Sequence, residues 1–130
     1  MNGFTLDTGA LIAIERESQA MRRWLAFARK TRRSITLPSV VVGEFWRGRP
    51  RGPVFTFVNQ LDADGRIEPL TTELAKLAGA SLRLVGTGPS LADAIVVASA
   101  AARGDVVLTS DMEDIYRLTS VFPMVRVKRV

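Results

Sequence analysis

Residues 90–111 read SLADAIVVASAAARGDVVLTSD, and this one stretch decides the fold. Ser90 to Arg103 is an almost wholly apolar helical segment, ended by Gly104, a residue suited to the left-handed turn that closes helices. Val106 to Leu108 follows as a short apolar strand. A helix that is apolar on most sides is buried, and short apolar strands separated by helices indicate a parallel sheet covered on both faces.

The same alternation extends in both directions. Phe4 to Leu6 is a strand, and Leu11, Ile12 and Ile14 to Glu17 form a short helix; Ser18 to Arg33 is a basic helix. Ile35 to Leu37 is the second strand, and Pro38-Ser39 opens a helix running through Trp46, stopped at Gly48-Arg49-Pro50-Arg51-Gly52. Val54 to Leu61 reads as a helix, although its Val, Phe and Thr also suit a strand. Ile67 to Leu70 is the third strand, Thr72 to Val85 a helix, Asp111 to Thr119 the last helix and Val125 to Val127 the final strand. No repeat or linker divides the chain, so residues 1–130 read as a single domain.

Composition narrows the chemistry. With no cysteine and no histidine, thiol nucleophiles, disulfides, His-based catalysis and nearly every zinc site are excluded. Carboxylates, hydroxyls, Lys and Arg are left. Eighteen Lys and Arg oppose thirteen Asp and Glu, for a net charge of +5, and most of the bases are Arg, whose planar fork suits phosphate. No apolar run reaches the roughly 20 residues of a membrane span, and Asp7 and Glu15 interrupt any signal-peptide pattern. A cytoplasmic protein with no membrane association is expected.

Four acids stand in unusual places. Asp7 follows strand one directly, and Asp111 lies just beyond strand four; ligands of open α/β sheets bind past the carboxyl ends of strands. Asp93 is the only charge between Ser90 and Ala102. Glu44 follows Val40 and Val41 by four and three residues, which places it on an apolar helical face where a positive group, an Arg or a metal, must meet it. Taken singly, Asp7, Asp93 and Asp111 also read as helix caps: Ser90-x-x-Asp93 is close to a capping box and Ser110-x-x-Glu113 is a better one. A hard divalent cation such as Mg²⁺ or Mn²⁺ accounts for all four together, because it takes oxygen ligands and can assist phosphodiester hydrolysis.

Four segments in order, Phe4 to Ile12, Pro38 to Gly48, Leu91 to Ala100 and Val107 to Ile115, resemble the signature segments of PIN-domain nucleases, and VapC toxins of bacterial toxin–antitoxin pairs in particular. The resemblance implies an α/β three-layer sandwich with a central parallel five-stranded sheet, a Mg²⁺- or Mn²⁺-dependent endoribonuclease, a homodimer, and a cognate VapB-like antitoxin whose tail blocks the site. It assigns Asp7, Glu44, Asp93 and Asp111 as the catalytic, metal-binding acids, Asp114 as a fifth ligand, and Thr109 as a hydroxyl that positions a water. Gly9 departs from the pattern: many members carry Ser or Asn there, so a polar contact beside Asp7 is missing.

Arg47, Arg49 and Arg51 begin one turn beyond Glu44 and are the candidates for RNA phosphate contacts. Arg22, Arg29 and Arg33 share a face of the second helix, which also suits a solvated surface. Trp46, Val54, Phe55 and Phe57 form an apolar concentration consistent with a dimer contact. Two rival classes are a non-catalytic basic RNA-binding module, in which the acids are only caps, and a receiver-like phosphoacceptor, which needs a Lys beyond a late strand and finds only Lys128.

Overall fold

The computed structural model describes residues 2–130. Five strands, β1 (Gly3–Leu6), β2 (Ser34–Pro38), β3 (Ile67–Glu68), β4 (Val106–Thr109) and β5 (Arg126–Arg129), form one sheet in the order β3-β2-β1-β4-β5. Every neighbouring pair is parallel. Seven helices connect them: α1 (Thr8–Glu15), α2 (Gln19–Lys30), α3 (Ser39–Trp46), α4 (Pro53–Ala63), α5 (Thr72–Val85), α6 (Leu91–Arg103) and α7 (Met112–Leu118). This is the expected three-layer α/β architecture. A receiver-type sheet follows the order 2-1-3-4-5, so the phosphoacceptor reading is set aside.

β1 is central and its alternation serves both layers. Phe4 is fully buried and meets Trp24 of α2 edge-on at 5.5 Å between ring centroids. Thr5, one residue on, faces the opposite layer, where its hydroxyl donates to Asp105 Oδ2 at 2.9 Å and accepts from Arg103 Nη2 at 2.8 Å. α6 is buried continuously from Ala94 to Ala100, as its composition requires. Its start is a full capping box between Ser90 and Asp93, and its end is Gly104 in the left-handed conformation at φ 71°.

The segment 54–61, compatible with helix or strand by composition, is helical: Pro53 sits in the first turn, and Val54, Val58 and Leu61 recur at helical spacing on the buried side. The two edge strands differ from expectation. β3 is two residues long, not four, because Pro69 lacks the N–H that would continue the ladder. β5 begins at Arg126, after a turn closed by the Val125 N–H on the Phe122 carbonyl, and carries three exposed bases, so hydrophobicity alone places it too early. Among the described residues, no helix is long and apolar enough to cross a membrane.

Arg103 ties the two ends of this arrangement. Its guanidinium pairs with Glu68 and, at 2.9 Å, with Asp105, whose side chain is 1% exposed. It also donates to Ser99 Oγ at 2.8 Å. Removing a partner from a buried ion network strands the remaining charge. Arg103→Ala is therefore expected to lower unfolding free energy by about 3–5 kcal/mol, measured by urea denaturation; a loss below about 1 kcal/mol, the scale of an exposed pair, would show that Asp105 is satisfied without it.

Candidate active site

The chain reverses its direction of travel across the sheet at β1: from there it runs outward to β2 and β3, and later returns to add β4 and β5 on the other side. The crevice of such a sheet lies at the carboxyl ends of β1 and β4, where the chain places Asp7 and Asp111. A cleft of about 160 Å³ opens there, lined by Asp7, Glu44, Asp93 and Asp111 together with Thr8, Gly9 and Ser110. All four acids singled out from the sequence share it. Asp114 does not line this cleft, yet carboxylate oxygens of Asp93, Asp111 and Asp114 lie within 4.8 Å of one another.

Three of the four acids accept from backbone N–H groups of their own helix turn. Asp7 caps α1, with Oδ1 accepting from the Ala10 N–H at 2.8 Å, while Oδ2 accepts from the Thr109 hydroxyl. Asp93 Oδ2 accepts from the Ser90 N–H at 2.9 Å. Asp111 caps α7 and accepts from the Asp114 N–H at 3.4 Å. The cap reading and the ligand reading are thus both geometrically satisfied, since a carboxylate oxygen that accepts one N–H keeps a further lone pair.

Two expectations change. Glu44 is not buried on an apolar face: the buried stripe of α3 is Val41 and Phe45, which leaves Glu44 exposed at its border, accepting from Thr8 Oγ1 at 2.6 Å. The cap of α7 is Asp111 and not Ser110, so the Ser110-x-x-Glu113 box does not form. Thr109 is fully buried; its hydroxyl donates to Asp7 and accepts from the Asp111 N–H at 2.8 Å, which ties the ends of β1 and β4 together at the acids. Thr8 and Ser110 are cleft residues that sequence reasoning passed over; the available signal was their adjacency to Asp7 and Asp111.

The electrostatics are those of carboxylates withdrawn from water and set close together. Burial raises the Asp7 carboxyl to about 6, against the hydrogen bonds from Thr109 and Ala10, with the charges of Asp93 and Asp111 adding to the rise. Asp93 is also raised, first by burial and then by Asp111 and Asp114, against its bonds to Ser90. Asp114 is raised by desolvation and by Asp111 and Glu113. Among the described residues, no salt bridge joins any of these acids to Arg or Lys. Arg117 eases the charge on Asp114 but does not enter the cleft, and a crowded site of carboxylate oxygens fits a hard divalent cation.

Arg47, Arg49 and Arg51 are exposed, none lines the cleft and none pairs with Glu44. The apolar concentration near them divides: Val54 is fully buried in the core, Phe57 is half-buried in a separate groove with Leu25 and Leu61, and only Phe55, 46% exposed and against Trp46 at 5.7 Å, presents a surface. Arg22 of α2 pairs with Glu17 at 3.4 Å, both exposed, as a solvated face would.

The family model of the PIN domain matches residues 4–120. The chain is similar to one in a crystal structure of VapBC2 from Rickettsia felis bound to a DNA fragment from their promoter, with 18% identity, 98% of each chain covered and a TM-score of 0.67. It is similar to one in DNA-bound VapBC from Salmonella typhimurium, with 25% identity, 99% of this chain and 98% of that chain covered, and a TM-score of 0.66. For FitAcB from Neisseria gonorrhoeae the identity is 19%, the coverage 95% of each chain and the TM-score 0.63. No curated protein matches the chain.

The raised Asp7 carboxyl has a measurable sign. An unfolded Asp ionises near 3.8 and the folded one near 6, so between these values the native state binds more protons and stability falls as pH rises. In EDTA, urea unfolding of the parent is expected to lose up to about 3 kcal/mol from Asp7 between pH 4 and pH 7. Asp7→Asn should lack that loss and be the more stable protein at pH 7; parallel pH curves for the two would show that Asp7 is not raised.

Proposed function

The chain belongs to the PIN domain family, a family of nucleases, and on that premise we propose that it is a divalent-cation-dependent endoribonuclease, the toxin of a VapBC-type toxin–antitoxin pair. One nuclease domain, residues 1–130, carries the activity. The observation that supports this reading is the convergence of Asp7, Glu44, Asp93 and Asp111 on one cleft without a positive partner.

Those four acids would hold the cation, with Asp114 as a further ligand through its approach to Asp93 and Asp111. Mg²⁺, or Mn²⁺ in its place, supplies Lewis acidity, lowers the pKa of an attacking water and neutralises charge on the phosphodiester. The protein's own share is orientation. Thr109 and the Ala10 N–H fix both oxygens of Asp7, the Ser90 N–H fixes Asp93, and the Thr8 hydroxyl turns Glu44 toward the same cleft. Preset ligands of this kind lose little freedom when loaded. Arg47, Arg49 and Arg51, exposed and unpaired with any acid, hold the RNA strand by its phosphates.

The similar solved chains come from VapBC and FitAcB assemblies, which supports a small VapB-like antitoxin as the cognate partner. The exposed Phe55 against Trp46 supports a homodimer contact. The chain would act in the cytoplasm, where its RNA is found.

Single-turnover cleavage of single-stranded RNA tests the reading. Activity should vanish in EDTA and return with Mg²⁺ or Mn²⁺. Asp93→Asn should cleave at least about a hundredfold more slowly, since several kcal/mol of charge stabilisation depend on the loaded ion, while binding RNA as well as the parent. Full activity of Asp93→Asn at saturating Mg²⁺, with an unchanged melting curve, would restore the rival reading of a non-catalytic RNA-binding module.

The arginines separate from the acids in a salt titration. Arg47→Ala should weaken RNA binding for all sequences alike and flatten the dependence of log K on log salt by roughly 0.7 per lost contact, with the melting temperature unchanged. An unaltered slope would remove Arg47 from the phosphate contacts.

A further inference from the structure

The cleft is dominated by acceptors, yet its proposed substrate is an anion whose oxygens call for donors. Only two lining residues carry a side-chain proton donor, Thr8 and Ser110. Thr8 donates to Glu44. Ser110 makes no side-chain hydrogen bond among the described residues, because Asp111, one residue later, has taken the cap of α7. Its exposed hydroxyl is therefore the one side-chain donor of the lining left uncommitted.

The room for that hydroxyl is made by Gly9. A Cβ built at Gly9 would collide with Ser110 Oγ and stand 3.1 Å from both Ser110 Cβ and its backbone nitrogen. No left-handed backbone accounts for this glycine, since its φ is not among the positive values. What position 9 requires is the absence of a side chain, so that the first turn of α1 and the end of β4 approach closely with the serine at the cleft.

We infer that Ser110 is a substrate-positioning residue: its hydroxyl donates to a phosphate oxygen of the RNA at the scissile position, and Gly9 is the cavity that keeps it aimed there. The assignment rests on the nuclease reading above. A hydrogen bond to a charged oxygen sets the expected scale at roughly tenfold or more in kcat/KM. No bond to the rest of the protein is lost when Ser110 changes, so stability should not move.

Four variants test this by single-turnover cleavage with Mg²⁺ and by melting. Ser110→Ala should lower kcat/KM roughly tenfold or more with melting unchanged. Gly9→Ala, which displaces the hydroxyl without deleting it, should match that loss, and the pair together should lose no more than either alone. Gly9→Ser with Ser110→Gly, which offers a hydroxyl from the opposite side of the same gap, should recover most of the activity, as a purely structural role would not. A parent that cleaves and a Ser110→Ala protein that cleaves equally would overturn the Ser110 assignment and leave the nuclease reading standing. A parent that cleaves no RNA with either ion would overturn the nuclease reading. The phosphate contact is then decided by fluorescence anisotropy of a single-stranded oligouridylate on Asp93→Asn with and without Ser110→Ala: several-fold weaker binding without the serine supports it, and equal affinity removes it.

Discussion

The burial of several carboxylates beside one another is the constraint around which this molecule is built. Asp7, Asp93 and Asp114 have raised proton affinities, first through desolvation and then through neighbouring carboxylates, and Arg117 eases the charge on Asp114 alone. For Asp7 and Asp93 the relief comes from hydroxyls and backbone amides. Asp7 and Asp111 are the caps of α1 and α7, and Asp93 closes the first turn of α6, so three helix N-termini point their partial positive charge at one place. Short helices that start immediately after strands follow from this requirement.

Much of this was legible in the chain itself. The apolar character of 94–100 fixed α6 as a buried helix, and the positions of Asp7 and Asp111 relative to their strands put them on one rim. Caps and ligands looked like competing explanations only because a sequence cannot show that one carboxylate has lone pairs for both. Glu44 was harder: helical spacing places a residue relative to its neighbours, but Val41 and Phe45 together, not Val40 and Val41, set which direction is inward. Ser110 against Asp111 is a choice between adjacent cap formers that only the backbone at the end of β4 decides. The aromatic cluster divides for a similar reason, since residues close in sequence on a helix point to different surfaces.

α6 links stability to the site. Its first turn carries Asp93, and its last residue, Arg103, is fastened to β1, β3 and Asp105. A helix of this length behaves as a stiff rod of about 20 Å, so the far fastening sets the axial position of Asp93. Arg103 is therefore a residue whose loss would move a carboxylate that it never touches.

Both margins of the sheet are blunt. β3 offers two residues before Pro69 removes a donor, and β5 carries Arg126, Lys128 and Arg129 outward, where a second strand would have to lie beside like charges. Extension of the sheet by a foreign strand, the usual route to fibres and to swapped dimers, is disfavoured at either margin. Association with any other chain is directed to the helical layers, and the molecule is kept from sticking to itself through its backbone.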